Sequence, residues 1–305
     1  MSSAFSSLPG AIHIREVGPR DGLQAESPVA VASRVRLIDA LVAAGTVDIE
    51  IAAFVSPTAV PAMAGAGEVV AAVGRPIGVR RWALVPNVRG ARDALAVGVD
   101  AITITVSASE TYSQRNTHRS IEQSLAEVAA IASYTAESTN NITLDVVVSC
   151  AFGSPYEGDL DPVDVAAIGQ ACHDAGVGRI TYADTTGVAT PRRVRDLLEH
   201  TGADIGLHLH DTRATALVNA YAAMEAGVTR FDTAVGGLGG SPFAAGAGGN
   251  LATEDLVHLC ADLGVATGID LDLLLTVSEL VSEMIGRAVP SRIAAAGPRW
   301  RSAPP

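Results

Sequence analysis

The sequence predicts a (β/α)8 TIM barrel with one or two extra C-terminal helices. Three observations carry that prediction. Eight short β-branched runs alternate with longer Ala/Leu/Val-rich stretches of helical spacing along almost all of the 305 residues. Several helical stretches close on a glycine just ahead of the next strand, at Gly45, Gly98, Gly176, Gly202 and Gly227, as a helix C-terminus prefers. Polar and ionisable residues gather at the ends of the β-branched runs, where a barrel places its chemistry. An open doubly wound sheet is the competing arrangement, but no Gly-x-Gly-x-x-Gly turn follows the first strand.

Along the chain, strands are expected at residues 12–17, 47–54, 79–85, 101–106, 142–149, 179–183, 205–210 and 230–235. Helical spacing is clear at 29–44, 121–138, 162–175, 191–200 and 212–226. Asp161-Pro162 and Thr190-Pro191 each read as a cap followed by a proline in the first turn. Residues 251–286 supply the extra helices after the eighth strand, and 287–305, rich in Ala, Arg and Pro, read as a loosely held tail. No low-complexity linker interrupts the body, so 1–286 are expected to form a single domain.

Composition narrows the function classes. Hydrophobic residues make up 48% and charged residues 18%, which is globular, and the net charge of −12 disfavours nucleic acid or an anionic membrane as main partner. A small basic pocket for a phosphorylated ligand remains compatible with that balance. No stretch offers eighteen uninterrupted apolar residues, so no membrane span is expected. The opening Met1–Gly10 lacks the apolar core of a secretory signal and carries no arginine, so no transit peptide is expected either. Cys150, Cys172 and Cys260 form no Cys-x-x-Cys motif, and an odd count suits a reducing, cytoplasmic setting.

The run His208-Leu209-His210-Asp211 is the sharpest chemical signal. Two imidazoles at i and i+2 of an extended strand face the same side. A lone buried histidine is usually a hydrogen-bonded core residue, whereas two in alternation at a strand end point to a divalent metal. Asp21, in the turn after strand one, is the candidate carboxylate; as Asp-Gly it also suits a plain turn. Arg20 beside it reads as a clamp for an anionic oxygen, or as a surface ion-pair partner. Asn250 reads equally as a ligand or as a helix cap. Glu50 in strand two, Ser149 at the end of strand five and Asp184 at the end of strand six converge on the same mouth. A purely structural barrel has no need of buried charges there. Imidazole, carboxylate and amide ligation suits Mg2+ or Mn2+ as readily as Fe2+ or Zn2+. The glycine-rich stretch from Gly236 to Gly249 has the place of a mobile lid, with Ser241 midway along it.

Five segments taken together resemble the 3-hydroxy-3-methylglutaryl-CoA lyase family: residues 16–24 (EVGPRDGLQ), 54–57 (FVSP), 154–158 (SPYEG), 208–212 (HLHDT) and 236–240 (GGLGG). The likeness runs in order from about Ile12 to Gly268. It implies Asp21, His208, His210 and Asn250 as the metal environment, holding Mg2+ or Mn2+, and Arg20 as stabiliser of an enolate oxygen. It implies supporting carboxylates at Glu50 and Asp184, and a polar neighbour at Gln24. Ser149 and Tyr156 join Arg20 and Gln24 as the expected substrate-binding residues. The implied reaction is retro-Claisen cleavage of a tertiary 3-hydroxyacyl-CoA to acetyl-CoA and acetoacetate, by a homodimer.

One departure stands out. The family carries cysteine in its Gly-Gly-Leu-Gly-Gly-Cys-Pro loop as proton donor, and this chain has Ser241. A thiol titrates near 8.5, far below an alcohol, so serine is the poorer acid. A related lyase or aldolase on another hydroxyacyl-CoA or 2-hydroxy acid is therefore an alternative. A Claisen-type acyltransferase is disfavoured because no regulatory domain fits after Gly286. A non-enzymatic metal-binding protein is disfavoured by the convergence of Arg20, Glu50 and Asp184.

Overall fold

The computed structural model describes residues 8–138, 141–240 and 248–299. Eight parallel strands close into a barrel in sequence order: β1 (His13–Glu16), β2 (Asp48–Ala53), β3 (Arg80–Leu84), β4 (Ala101–Ser107), β5 (Thr143–Ser149), β6 (Arg179–Ala183), β7 (Gly206–His208) and β8 (Arg230–Thr233). Between them run α1 (Val31–Ala43), α2 (Ala66–Val73), α3 (Val88–Ala96), α4 (Glu110–Thr117), α5 (Ile121–Ala136), α6 (Pro162–Asp174), α7 (Pro191–Thr201) and α8 (Ala216–Glu225). After β8 come α9 (Thr253–Leu263), α10 (Leu271–Ile285) and the short α11 (Arg292–Ala296).

All eight expected strands are present, most of them shorter than the apolar runs suggest. The expected caps also form: the Asp161 carboxylate accepts the Val163 amide at 2.9 Å and the Thr190 hydroxyl accepts that of Arg193 at 3.4 Å. One expectation is corrected. The segment from Arg287 is not loose up to Arg299, because the Asp255 carboxylate on α9 accepts the Ser291 hydroxyl at 2.7 Å and the Ile293 amide at 2.9 Å. Those bonds fix the start of α11 against α9.

The apolar core lies between the strands and the helices, where Ile49 and Ile51 of β2 and Leu37, Ile38 and Leu41 of α1 are fully buried. The space inside the barrel is different. Arg15 of β1 reaches Asp145 of β5 at 2.8 Å, and those strands are not neighbours, so the contact crosses the lumen. Thr103, Thr181 and Asp232 complete this polar interior. Branched apolar side chains usually fill that space; here an ion-pair network does.

Near the mouth, the pairing of β2 with β3 shifts register between Glu50 and Ala52. Such a bulge bends the strand and re-aims its side chains. Buried Arg34 of α1 donates to the Ile51 carbonyl within this bulge at 3.5 Å and to the Ala64 carbonyl at 2.9 Å.

Candidate active site

Arg20 and Asp21 lie on a π-helical turn, Gly18–Gly22, that follows β1 directly. The Val17 carbonyl accepts three amides there, from Arg20 at 3.1 Å, Asp21 at 2.7 Å and Gly22 at 3.2 Å. Glu16 locks the turn from below: its Oε1 accepts the amides of Gly18 at 2.7 Å and Val235 at 2.9 Å, and its Oε2 accepts the Thr253 hydroxyl at 2.5 Å. A Cβ at position 18 would stand 2.6 Å from that Oε1, so any larger residue would push the carboxylate off these bonds. Burial lifts the Glu16 carboxyl to about 7, against the pull of these hydrogen bonds.

The turn brings Asp21 to the histidines. Asp21, His208 and His210 each offer a ligand atom, all within 4.8 Å of one another. His208 Nε2 stands 3.3 Å from His210 Nε2 and 3.9 Å from Asp21 Oδ2. His208 is the last residue of β7. His210 lies beyond the strand, where its backbone bridges Asn250. The strand expected to reach residue 210 thus ends earlier, yet both imidazoles still face one centre.

Asn250 is no helix cap, since α9 begins at Thr253 with Ala252 before it. Its Nδ2 donates to Asp21 Oδ2 and to the Leu238 carbonyl, both at 2.8 Å, and its buried Oδ1 has no hydrogen-bond partner. Arg20 donates to Asp21 Oδ1 at 2.6 Å and to Glu50 Oε2, so two carboxylates hold the guanidinium beside the cluster. Glu50 is wholly buried, and Arg20 is the cation paired with it there.

Electrostatics separate the two imidazoles. Burial and the facing His208 push His210 down to about 4, which keeps it neutral with a free lone pair. Burial also opposes charge on His208, but Asp232 and Asp21 outweigh it and raise its pKa. For Asp21, burial is outweighed by Arg20, His208 and Asn250, and the carboxyl falls below the ordinary carboxylate value. Two imidazole nitrogens, one ionised carboxylate and an unpartnered amide oxygen make a donor set that fits a divalent cation with open positions.

The remaining expected residues are spread around the mouth. Asp184 faces its own loop: its carboxylate accepts the amides of Val188 at 2.8 Å and Ala189 at 3.1 Å, and burial raises it to about 6. Buried Ser149 donates to the Val106 carbonyl at 3.3 Å. The Tyr156 ring lies 4.5 Å beneath the Arg115 guanidinium. Its loop is tied to α4 by Glu157, which accepts the hydroxyls of Ser109 and Ser154 and the Thr111 amide at 2.8 Å. Gln24 is half-buried just past the π-helical turn. Ser241 lies outside the described residues. The described residues on either side of it are joined, the Asn250 amide donating to the Leu238 carbonyl at 3.1 Å.

Sequence reasoning misses Asp232 and Arg15. His208 Nδ1 is 3.2 Å from Asp232 Oδ2, and Arg15 grips the same carboxylate at 2.8 and 2.7 Å. The available signal is a pair of opposite charges inside two strands that close the barrel side by side.

The chain is 39% identical over 296 residues to a Pseudomonas aeruginosa protein named 3-hydroxy-3-isohexenylglutaryl-CoA/hydroxy-methylglutaryl-CoA lyase, covering 95% of this chain and 98% of that one. It is 41% identical over 304 residues to (R)-citramalyl-CoA lyase of Chloroflexus aurantiacus, covering 94% and 95%. Its fold matches the solved structure of an HMG-CoA lyase from Acinetobacter baumannii in complex with coenzyme A and 3-methylmalate. That match has a TM-score of 0.91 at 35% identity and covers 100% of this chain and 99% of the other. The HMGL-like family model matches residues 11–281, and the chain belongs to the HMGL-like family.

Proposed function

We propose that this protein is a metal-dependent carbon–carbon lyase cleaving 3-hydroxy-3-methylglutaryl-CoA to acetyl-CoA and acetoacetate. The observation that carries this reading is Arg20, held by Glu50 and Asp21 beside the Asp21–His208–His210 cluster. Mg2+ or Mn2+ is the proposed ion, held by Asp21, His208, His210 and Asn250. When bound, such an ion supplies a Lewis acid that makes a nearby carbinol hydroxyl more acidic.

The chain's own residues perform the remaining work. The hydroxyl proton passes to the Asp21 carboxylate, which Arg20 and Asn250 orient at 2.6 and 2.8 Å. The bond between the carbinol carbon and the carbon α to the thioester breaks, and its electron pair moves onto the thioester as an enolate. Arg20, 7% exposed and fixed by two carboxylates, meets that negative charge without reorganising. Protonation at carbon then releases acetyl-CoA, with Ser241 the proposed donor. Gln24, Ser149 and Tyr156 are proposed to contact the substrate. Asp184 is proposed to support the site through its loop.

A second substrate is favoured by one observation: Ser241 stands where the family carries cysteine. Citramalyl-CoA, named for a relative 41% identical, breaks by the same retro-Claisen step and leaves pyruvate instead of acetoacetate. A homodimer is proposed from the family likeness. A cytosolic setting is proposed because all three cysteines are free and buried. Among the described residues no helix is long and apolar enough to cross a membrane. The test is incubation with each thioester plus Mg2+ or Mn2+, with products identified by mass. Acetoacetate from the first thioester supports the reading; no cleavage of either overturns it.

A further inference from the structure

We infer that Asp232 is a positioning residue for His208, holding the proton on Nδ1 so that Nε2 turns its lone pair into the Asp21–His210 cluster. This inference rests on the metal-site reading above.

Arg15, Asp232 and His208 stand at one register level on three adjacent strands. Asp232 is the backbone partner of Arg15 across β1 and β8, and of His208 across β7 and β8. Their side chains therefore meet in a row. Arg15 donates from Nε to Asp232 Oδ1 at 2.8 Å and from Nη2 to Oδ2 at 2.7 Å, a bidentate grip that fixes the plane of the carboxylate. Arg15 is itself immobilised: Nη1 pairs with Asp145 at 2.8 Å, Thr181 donates to that carboxylate at 2.8 Å, and the guanidinium lies 4.8 Å over the Trp82 ring.

This row decides the imidazole's protonation pattern. Ionised Asp232 has only acceptors, so the 3.2 Å contact from His208 Nδ1 is a hydrogen bond only if Nδ1 carries the proton. In the neutral ring Nε2 is then the lone-pair nitrogen, and it is the nitrogen 3.3 Å from His210 and 3.9 Å from Asp21. A carboxylate behind a ligating histidine orients the ring and raises its basicity as a ligand. Asp145 also neutralises Arg15 but does not touch His208, which separates charge balance from positioning.

Asp232→Asn tests this. An amide cannot accept from Arg15 at both atoms and from His208 as well, so one donor must face its NH2 group. Calorimetric titration of the purified protein with Mn2+ is expected to show affinity lowered about 10–100-fold, while Asp145→Asn, one contact further from His208, lowers it markedly less. Equal losses in both variants, or none in either, overturn the inference. A parent that binds no Mn2+ overturns it together with the metal-site reading. If Asp232→Asn does not fold, the parent still decides. Two-dimensional 15N NMR of its histidines, assigned against His208→Gln, is expected to show a proton on His208 Nδ1; a proton on Nε2 alone overturns the inference.

Discussion

The Nε2 atoms of His208 and His210 face each other across 3.3 Å. Two protonated imidazoles could not sit so close in a buried site, because like charges at that distance repel strongly at low dielectric. A divalent cation held by the two residues would remove the conflict, since neutral imidazoles would then offer it lone pairs.

His210→Ala removes one donor while leaving the barrel walls intact, because residue 210 lies beyond β7. Affinity for Mg2+ or Mn2+ should fall by more than the ~10–100-fold typical of losing an outer-shell partner, with turnover nearly abolished. Calorimetry and far-UV circular dichroism check binding and folding separately. A variant that binds metal and turns over like the parent removes His210 from the site.

Arg20 meets charge that develops only as the carbon–carbon bond breaks, so its effect belongs to kcat. Arg20→Lys keeps a cation but cannot bridge Asp21 and Glu50 with a planar fork. The expected loss in kcat is on the order of 10²–10³, with a smaller change in KM. Steady-state kinetics read both, and a change confined to KM would reduce Arg20 to a substrate-binding group.

Ser241→Cys should raise kcat on 3-hydroxy-3-methylglutaryl-CoA if serine limits proton delivery to the enolate. The new thiol, with an ordinary pKa near 8.5, gives up its proton far more readily than an alcohol. An unchanged rate on that thioester, with brisk cleavage of citramalyl-CoA by the parent, would transfer the assignment to the second substrate.

Glu16 predicts a pH dependence of stability. Burial lifts its folded-state carboxyl to about 7, from an ordinary value of 4.5. Between those values the folded state keeps a proton that the unfolded state has lost, so stability declines as pH rises through that window. Glu254, lifted by burial to about 7 as well, acts with the same sign. Glu16→Gln keeps an acceptor for Gly18 and Val235 and should flatten part of the decline. Urea unfolding of parent and variant from pH 4.5 to 7.5 should show the gap between them changing by on the order of 1–3 kcal/mol. Parallel curves would mean that Glu16 ionises normally.

The strands are legible in the sequence because each is a β-branched run bounded by a glycine or polar turn. Their ends are less so. β7 stops at His208 because Leu209 is drawn off to Leu251, whose amide donates to its carbonyl at 2.8 Å, and no local pattern encodes that partner. Arg20, Asp21 and the two histidines are legible because ionisable groups at the carboxyl ends of different strands have one shared destination in a barrel. Arg15 and Asp232 are not, since a charge within a short strand normally marks its solvent face. Only closure of the barrel turns that face inward. Asn250 stays ambiguous until α9 is seen to start three residues later.

The hydrogen bond from Asn250 to Asp21 joins residues 229 positions apart. The centre is therefore among the last parts of the molecule that a growing chain can assemble, since loop closure over that span comes late and slowly. An ion held by Asp21, His208, His210 and Asn250 would find its complete donor set only once β8 has docked against β1 and residue 250 has returned. Its binding would then favour the closed barrel over open forms by mass action. Chains cut short before Asn250 should gain nothing from the ion, so protection by metal against proteolysis marks the moment of completion.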